Sequence, residues 1–312
     1  MSFRFALALL LLAPSALFAQ SWTDPAAWAH VPEPTATKDI VYFAPTDPIH
    51  DPNYDPKSQR LDVYQNAAAT PAAKAPVLVY IHGGAWNHGE KPTSWHGFRP
   101  WIAAGFSVVN VEYRLVDAAP APAAVQDVRC VLSWIKQNAA KFNFDASRVV
   151  TYGTSAGGHL ALLAAILPAN NDIDLPQCRA QPHISAVLDF YGPYHLEPTQ
   201  PGAFTSPSTA RWILGTKPGP GPQPSLEAKE HAMSPSTYVR AGIPPVFIAQ
   251  GDADPTVPYA ASVTLQKDLE KLGIRNMFDT VPGGGHGKWP PDQQQRVELD
   301  SLKFLHANGV IP

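Results

Sequence analysis

The chain is short of charge and of sulfur. Of its 312 residues, 16% are charged, and the formal net charge is −3. No block of Lys and Arg breaks this balance, so nothing points to a nucleic-acid partner. Beyond the first 20 residues, no apolar run approaches the ~20 residues that a membrane-spanning helix needs. No internal repeat is evident. No group of His, Cys, Asp and Glu has metal-ligand spacing, and no G-x-G-x-x-G opens a helix, so neither a metal nor a nucleotide cofactor is expected. With two cysteines in the whole chain, at most one internal bridge is available.

Proline is abundant instead, with 34 residues concentrated in the N-terminal arm and around 198–224. The first residues read as a processing segment. Arg4 supplies a positive start, Ala6 to Leu12 (ALALLLL) an apolar stretch too short to span a bilayer, and "ALFAQ" a small-residue cleavage site after Ala19. Residues 1–19 are therefore expected to be a signal peptide. The mature protein is expected to be secreted or periplasmic, with no membrane attachment after cleavage. An oxidising compartment invites a bridge between Cys130 and Cys178. Cys130 lies on the helix predicted over 123–140, beside Trp134 and off the stripe of Val125, Val128, Leu132 and Ile135. The alternative is two separately packed thiols.

Along the chain, residues 20–60 read as a surface arm. Leu61 to Tyr64 (LDVY) alternates like an edge strand. Val77–Ile81, Phe106–Tyr113 and Arg148–Tyr152 read as buried strands, and Ile184–Phe190, Val246–Gln250 and Met277–Val281 as further strands. Helices are expected over 123–140, 156–167, 259–272 and 292–307. Strands alternating with helices imply a mostly parallel sheet covered on both faces, within one domain over 61–312. The stretch 193–236 is too long for an ordinary connection and poor in strands, so a small cap or lid is expected there.

The chemistry concentrates at strand ends. In "TYGTSAGGHLALL", residues 151–163, Ser155 sits between a strand and a helix with Gly153 and Gly157 two residues to either side. A chain that turns from strand to helix within one residue brings those flanking positions into collision unless they are glycine. The serine would then hold a strained backbone with positive φ and project its hydroxyl from the bend. This is the G-x-S-x-G nucleophile elbow. After Val77–Ile81 comes "HGGAW", residues 82–86. Backbone N–H groups of Gly83, Gly84 and Ala85, with that of Ala156, could hold an oxyanion. His82 reads as a clamp on that loop rather than as a base. After Val246–Gln250 comes "GDADPTVP", which offers Asp252 and Asp254. Both are also ordinary turn formers before proline. After Met277–Val281 comes "PGGGHGKW", with His286 on what is expected to be a mobile, accessible loop. The later His306 reads as structural, and Asp189 is a third candidate acid. Trp86 and Trp289 flank the motifs and are expected to shape the substrate pocket.

These stretches carry a resemblance. Over roughly residues 58–308, "RLDVY", "HGGAW", "VVNVEYRL", "DVRCVLSWI", "GTSAGGHLALL", "GDADPTVP" and "GGGHG" resemble the α/β-hydrolase superfamily. Within it they are similar to the esterase/lipase branch with an HGG-type loop, and most of all to secreted proteins resembling bifunctional feruloyl and acetyl-xylan esterases. The resemblance implies Ser155 as nucleophile, His286 as general base and then acid, and Asp254 as the acid that orients it. It implies hydrolysis of a small-molecule or carbohydrate ester through an acyl-enzyme, without a cofactor. The family places its acid where Asp254 stands relative to Gly251 and Val257. Ala85 stands where many relatives carry a third glycine, which keeps the N–H but narrows the room for bulky groups. "HGGAW" also fits the HGG-x-W pattern of arylformamidases, so an amide-type hydrolase is an alternative. A non-catalytic binding protein of the same fold is a further one.

Overall fold

The computed structural model describes residues 21–43, 45, 51–216 and 223–312. The expected signal peptide lies outside these residues. Eight strands form one sheet: β1 (Thr35–Val41), β2 (Arg60–Gln65), β3 (Ala75–Ile81), β4 (Ser107–Val111), β5 (Phe144–Thr154), β6 (Ile184–Phe190), β7 (Val246–Gly251) and β8 (Asn276–Val281). Their spatial order is β1-β2-β4-β3-β5-β6-β7-β8. β1 and β2 run antiparallel to their neighbours, and all pairings from β4 to β8 are parallel.

The central strands are apolar nearly throughout because both faces are covered. One face carries α2 (Ala123–Asn138), α3 (Ala156–Ile166) and α6 (Tyr259–Lys271), which contribute Val128, Leu160 and Leu265 to a shared core. The other carries α1 (Arg99–Ala103) and α7 (Pro291–Ala307), which contribute Trp101, Val297 and Leu302. α3 is apolar on every side and is buried almost completely, as such a helix must be.

Two expectations need correction. The segment read as an arm contains β1, an exposed strand on the sheet edge. Leu61 to Tyr64, read as the edge, is therefore the second strand in and is buried. Its polar member is accommodated by charge pairing. Asp62 lies 2.8 Å from Lys91 Nζ and accepts the Asp39 N–H at 2.8 Å. Asp39 itself has φ of 56° where the β1–β2 register shifts, the kind of bulge that disrupts an edge.

The stretch 193–236 holds α4 (Pro207–Leu214) and α5 (Leu226–Met233) and, among its described residues, no strand. Cys130 on α2 and Cys178 in the turn Pro176–Cys178 form a disulfide, their Cα atoms 4.6 Å apart. Beside it the buried Arg129 clamps Asp174 through Nε at 2.7 Å and Nη2 at 2.5 Å.

Candidate active site

β5 ends at Thr154 and α3 begins at Ala156, so Ser155 alone makes the corner. Its φ is 56° and its ψ −123°. The flanking glycines are required by contact. A Cβ on Gly153 would strike the Gly157 carbonyl, and one on Gly157 would strike the Ile81 and His82 carbonyls. The second contact sets the start of α3 directly against the end of β3, where the oxyanion loop begins. Ser155 N–H donates to Phe190 O at 2.9 Å, which ties the corner to the end of β6.

His286 reaches this hydroxyl from the loop after β8. Its Nε2 lies 2.9 Å from Ser155 Oγ, and its Nδ1 lies 2.8 Å from Asp254 Oδ2. The Asp254 side chain is wholly buried, whereas the imidazole keeps 22% exposure, enough to meet a substrate. Burial alone would raise the Asp254 pKa. Hydrogen bonds from His286, Thr256 N–H and Val257 N–H, with attraction to the imidazole, bring it below the ordinary carboxylate value instead. Those N–H groups bond its other oxygen at 2.7 and 3.1 Å, which leaves Oδ2 aimed at the imidazole. The loop carrying His286, expected to be mobile, is stitched down. Ala253 N–H donates to Gly284 O at 3.0 Å, Gly283 N–H to Asp252 Oδ1 at 2.6 Å, and Trp289 Nε1–H to Gly285 O at 2.9 Å.

The oxyanion loop packs onto the elbow. A Cβ on Gly83 would come within 2.8 Å of Thr154 O and 3.3 Å of Ser155 Cβ. Among the described residues, the N–H groups of Gly83, Gly84 and Ala85 take no backbone partner. Ala156 is the first residue of α3, so its N–H has no partner within the helix. His82 clamps the loop, with Nδ1 2.7 Å from Gly83 O and Nε2 3.3 Å from Glu112, while its ring stacks on Tyr113.

Backbone strain collects here. Six described non-glycine residues have positive φ, and four of them (Ala85, Trp86, Ser155 and Tyr191) belong to these loops. Each such residue costs about 1–3 kcal/mol and persists only where its surroundings over-determine it. The clustering therefore singles out this end of the sheet as the candidate site.

The remaining sequence candidates fall elsewhere. Asp252 serves as a loop fastener through Gly283. Asp189 is fully buried at the end of β6, and its Oδ1 accepts Gly192 N–H at 3.0 Å. Burial pushes its pKa up to about 7, against the lowering effect of that bond. His306 is exposed on α7 with its ring 5.5 Å from Trp22. Trp86 has no exposed surface and Trp289 is 8% exposed, so neither presents an open face to a substrate.

Two further side chains stand beside the site: Tyr191, one of the aromatics the sequence places near it and reads as core packing, and His159, which no motif singled out. Tyr191 stands edge-on to His286 at 4.8 Å and to Trp289 at 5.5 Å. His159, four residues after Ser155, accepts no proton readily, since burial lowers its pKa to about 4 against the raising effect of its bond to Met233 O. It donates Nε2–H to that oxygen at 2.8 Å. The positive φ of Tyr191, at 47°, is a backbone property that no motif announced.

The sheet order, the elbow and the strand-end loops define an α/β-hydrolase fold. Residues 61–269 match the BD-FAE family, and the chain belongs to it. Esterase LipQ of Mycobacterium tuberculosis is 28% identical over 263 residues, which are 82% of this chain and 59% of LipQ. Carboxylesterase NlhH of the same species is 30% identical over 188 residues, 58% of this chain and 56% of NlhH. The chain spans 59%, 58% and 46% of the lengths of LipQ, LipC and LipM. Among solved structures, a truncated carbohydrate esterase from gut microbiota superposes with a TM-score of 0.71 at 25% identity, covering 88% of this chain and 96% of that one. The esterase Est2 of Thermogutta terrifontis, with butyrate bound, gives 0.69 at 22% identity over 90% of this chain and 96% of its own, a likeness of fold.

Proposed function

We propose that the chain is a serine carboxylic ester hydrolase, acting through an acyl-enzyme on short-chain or carbohydrate-linked esters such as acetyl and feruloyl esters. The observation that carries this is the unbroken relay from Ser155 Oγ to His286 Nε2 and from His286 Nδ1 to Asp254, at 2.9 and 2.8 Å. In this reading His286 takes the hydroxyl proton as Ser155 attacks the ester carbonyl carbon. The N–H groups of Gly84, Ala85 and Ala156 then stabilise the oxyanion of the tetrahedral intermediate, with Gly83 beside them. His286 returns the proton to the departing alkoxide, leaving an acyl group on Ser155. A water deprotonated by the same imidazole attacks the acyl carbon, the Ser155 Oγ–carbon bond breaks as the imidazole returns the proton to Oγ, and the acid is released. Asp254 stays ionised and holds the imidazole in the tautomer that presents bare Nε2 to the hydroxyl.

The substrate class draws support from the carbohydrate esterase among the structural neighbours. Short acyl groups are favoured by Ala85 in the oxyanion loop and by an insertion whose two helices have only eight residues each. Export through the signal peptide at 1–19 belongs to the same proposal and agrees with the Cys130–Cys178 disulfide. Among the described residues, no helix is long and apolar enough to cross a membrane.

The test is a panel of acetyl, butyryl, octanoyl and feruloyl esters with an aryl formamide beside them. The expected order by kcat/KM places acetyl or butyryl esters above octanoyl, and the formamide below the best ester. Faster turnover of octanoyl esters contradicts the short-acyl assignment. Faster turnover of the formamide contradicts the ester assignment.

A further inference from the structure

The loop's own bonds, from Asn87 and His88 N–H to Gly84 O at 3.0 Å and from His82 Nδ1 to Gly83 O at 2.7 Å, leave the side chains of Ala85 and Trp86 to be held by other contacts. Gly84, Ala85 and Trp86 follow one another with φ of 120°, 48° and 57°. Two of these residues carry a Cβ, for which positive φ is unfavourable, so the conformation persists only where neighbouring contacts impose it. The elbow and Tyr191 are held by their own sheet through Ser155 N–H to Phe190 O and Tyr191 N–H to Ala249 O. Trp86 is held from elsewhere. Its ring is wholly buried, and its Nε1 has no hydrogen-bond partner, so packing fixes the ring while only the backbone carbonyl is hydrogen-bonded. The packing surface is Trp212 of α4, whose ring lies parallel to that of Trp86 at 4.4 Å and 10°. His159 closes the third side, edge-on to Trp86 at 5.1 Å and to Trp212 at 5.5 Å.

Other bonds fasten the same pieces. Asn87 Nδ2 donates to Ser208 Oγ on α4 at 3.0 Å. Val116 N–H donates to Trp86 O and Ala121 N–H to Trp212 O, each at 2.9 Å. Arg211 on α4 pairs with Asp117. Thus α4, inserted between β6 and β7, grips a loop that follows β3.

We propose that Trp212 is a positioning residue that holds the oxyanion loop in its strained conformation, so that the inserted helix α4 is part of how the loop's N–H groups are aimed. The inference rests on the ester-hydrolase reading for its kinetic consequence. Its structural consequence stands apart from that reading. Donors to an oxyanion act more strongly in the transition state than on bound substrate, so their displacement lowers kcat more than it raises KM.

Trp212→Ala is expected to lower kcat on an acetyl ester by about 10- to 100-fold, a share of what one lost oxyanion donor costs, with KM within about twofold of wild type. Trp212→Phe keeps a stacked ring and should restore most of the rate. A role confined to stability would lower the unfolding midpoint without this split. Hydrogen exchange supplies the readout that needs no activity. The Asn87 and His88 N–H groups both bond to Gly84 O at 3.0 Å, and they should exchange faster in Trp212→Ala while β7 amides do not change. If Trp212→Ala does not fold, Ser208→Ala decides by the same two measurements, with a loss of several-fold in kcat expected. The proposal is overturned by a folded Trp212→Ala with kcat within twofold of wild type, by a rise in KM at constant kcat, or by unchanged exchange at Asn87 and His88. A wild-type chain that turns over no ester while Trp212→Ala still speeds that exchange overturns the ester reading and leaves the positioning role standing.

Discussion

At Asp254 the two carboxylate oxygens have separate tasks. One accepts two backbone N–H groups and the other faces the imidazole. Asp252 and Asp189 instead fasten backbone, at Gly283 and Gly192. Asp254→Asn should therefore favour the wrong His286 tautomer, a change that costs about 10⁴ in kcat in the serine-protease template. Asp252→Asn and Asp189→Asn should cost tenfold or less. Measured on one activated ester, a larger loss at either of the latter contradicts the assignment of the acid.

Asp189 makes a second prediction through its pKa, raised to about 7 by burial. The folded chain keeps this proton after the unfolded chain has released it near pH 4. Its contribution to stability is complete below pH 4, falls as pH rises toward 7, and is then flat, a change of at most roughly 4 kcal/mol at 1.36 kcal/mol per pH unit. Asp189→Asn removes the titration and keeps an acceptor for Gly192 N–H. Urea unfolding should show the variant gaining on wild type between pH 4.5 and pH 7.5, whereas a gap independent of pH contradicts the buried protonated carboxyl.

At the scale of elements, legibility followed burial. Strands β3, β5, β6 and β7 lie inside the sheet, so their apolar runs stood out in the sequence. β1 was missed because its first five residues, Thr35 to Asp39, are exposed and it owes its existence to backbone pairing with β2. The motifs around Gly83, Ser155 and Asp254 were legible because each follows directly on a buried strand, and the one around His286 by its glycines, since β8 before it is only partly buried. The link between Trp86 and Trp212 was not legible, because 125 intervening residues separate partners that only the insertion's tertiary placement unites (positions 86 and 212). The disulfide joins α2 to the turn at Pro176–Cys178 across a sequence separation of 48. In the chain-entropy account such a closure stabilises by about 4 kcal/mol. Paired Cys130→Ser and Cys178→Ser replacements should lower the urea-unfolding free energy by about 2–4 kcal/mol. A loss below about 0.5 kcal/mol contradicts a stabilising closure.

Across the whole molecule, loops after β3, β5, β7 and β8 converge at one end of the sheet, and an insertion after β6 braces one of them. Two cavities, of about 670 and 610 Å³, open instead near the opposite strand ends, around Ala75, Gly105, Ile184 and Arg275, far along the sheet from Ser155. Among the described residues, strain, the hydrogen-bonded relay and free backbone donors coincide only at the end that carries Ser155. Every role assigned at that end requires this hydroxyl to be an activated nucleophile. Treatment with a fluorophosphonate, followed by intact-mass analysis and peptide mapping, tests it most directly. The account predicts one adduct per chain, located on Ser155 and absent from a folded Ser155→Ala variant that has also lost ester turnover. An unlabelled wild-type chain, an adduct on another residue, or a Ser155→Ala variant that keeps more than a few per cent of the wild-type rate would contradict it.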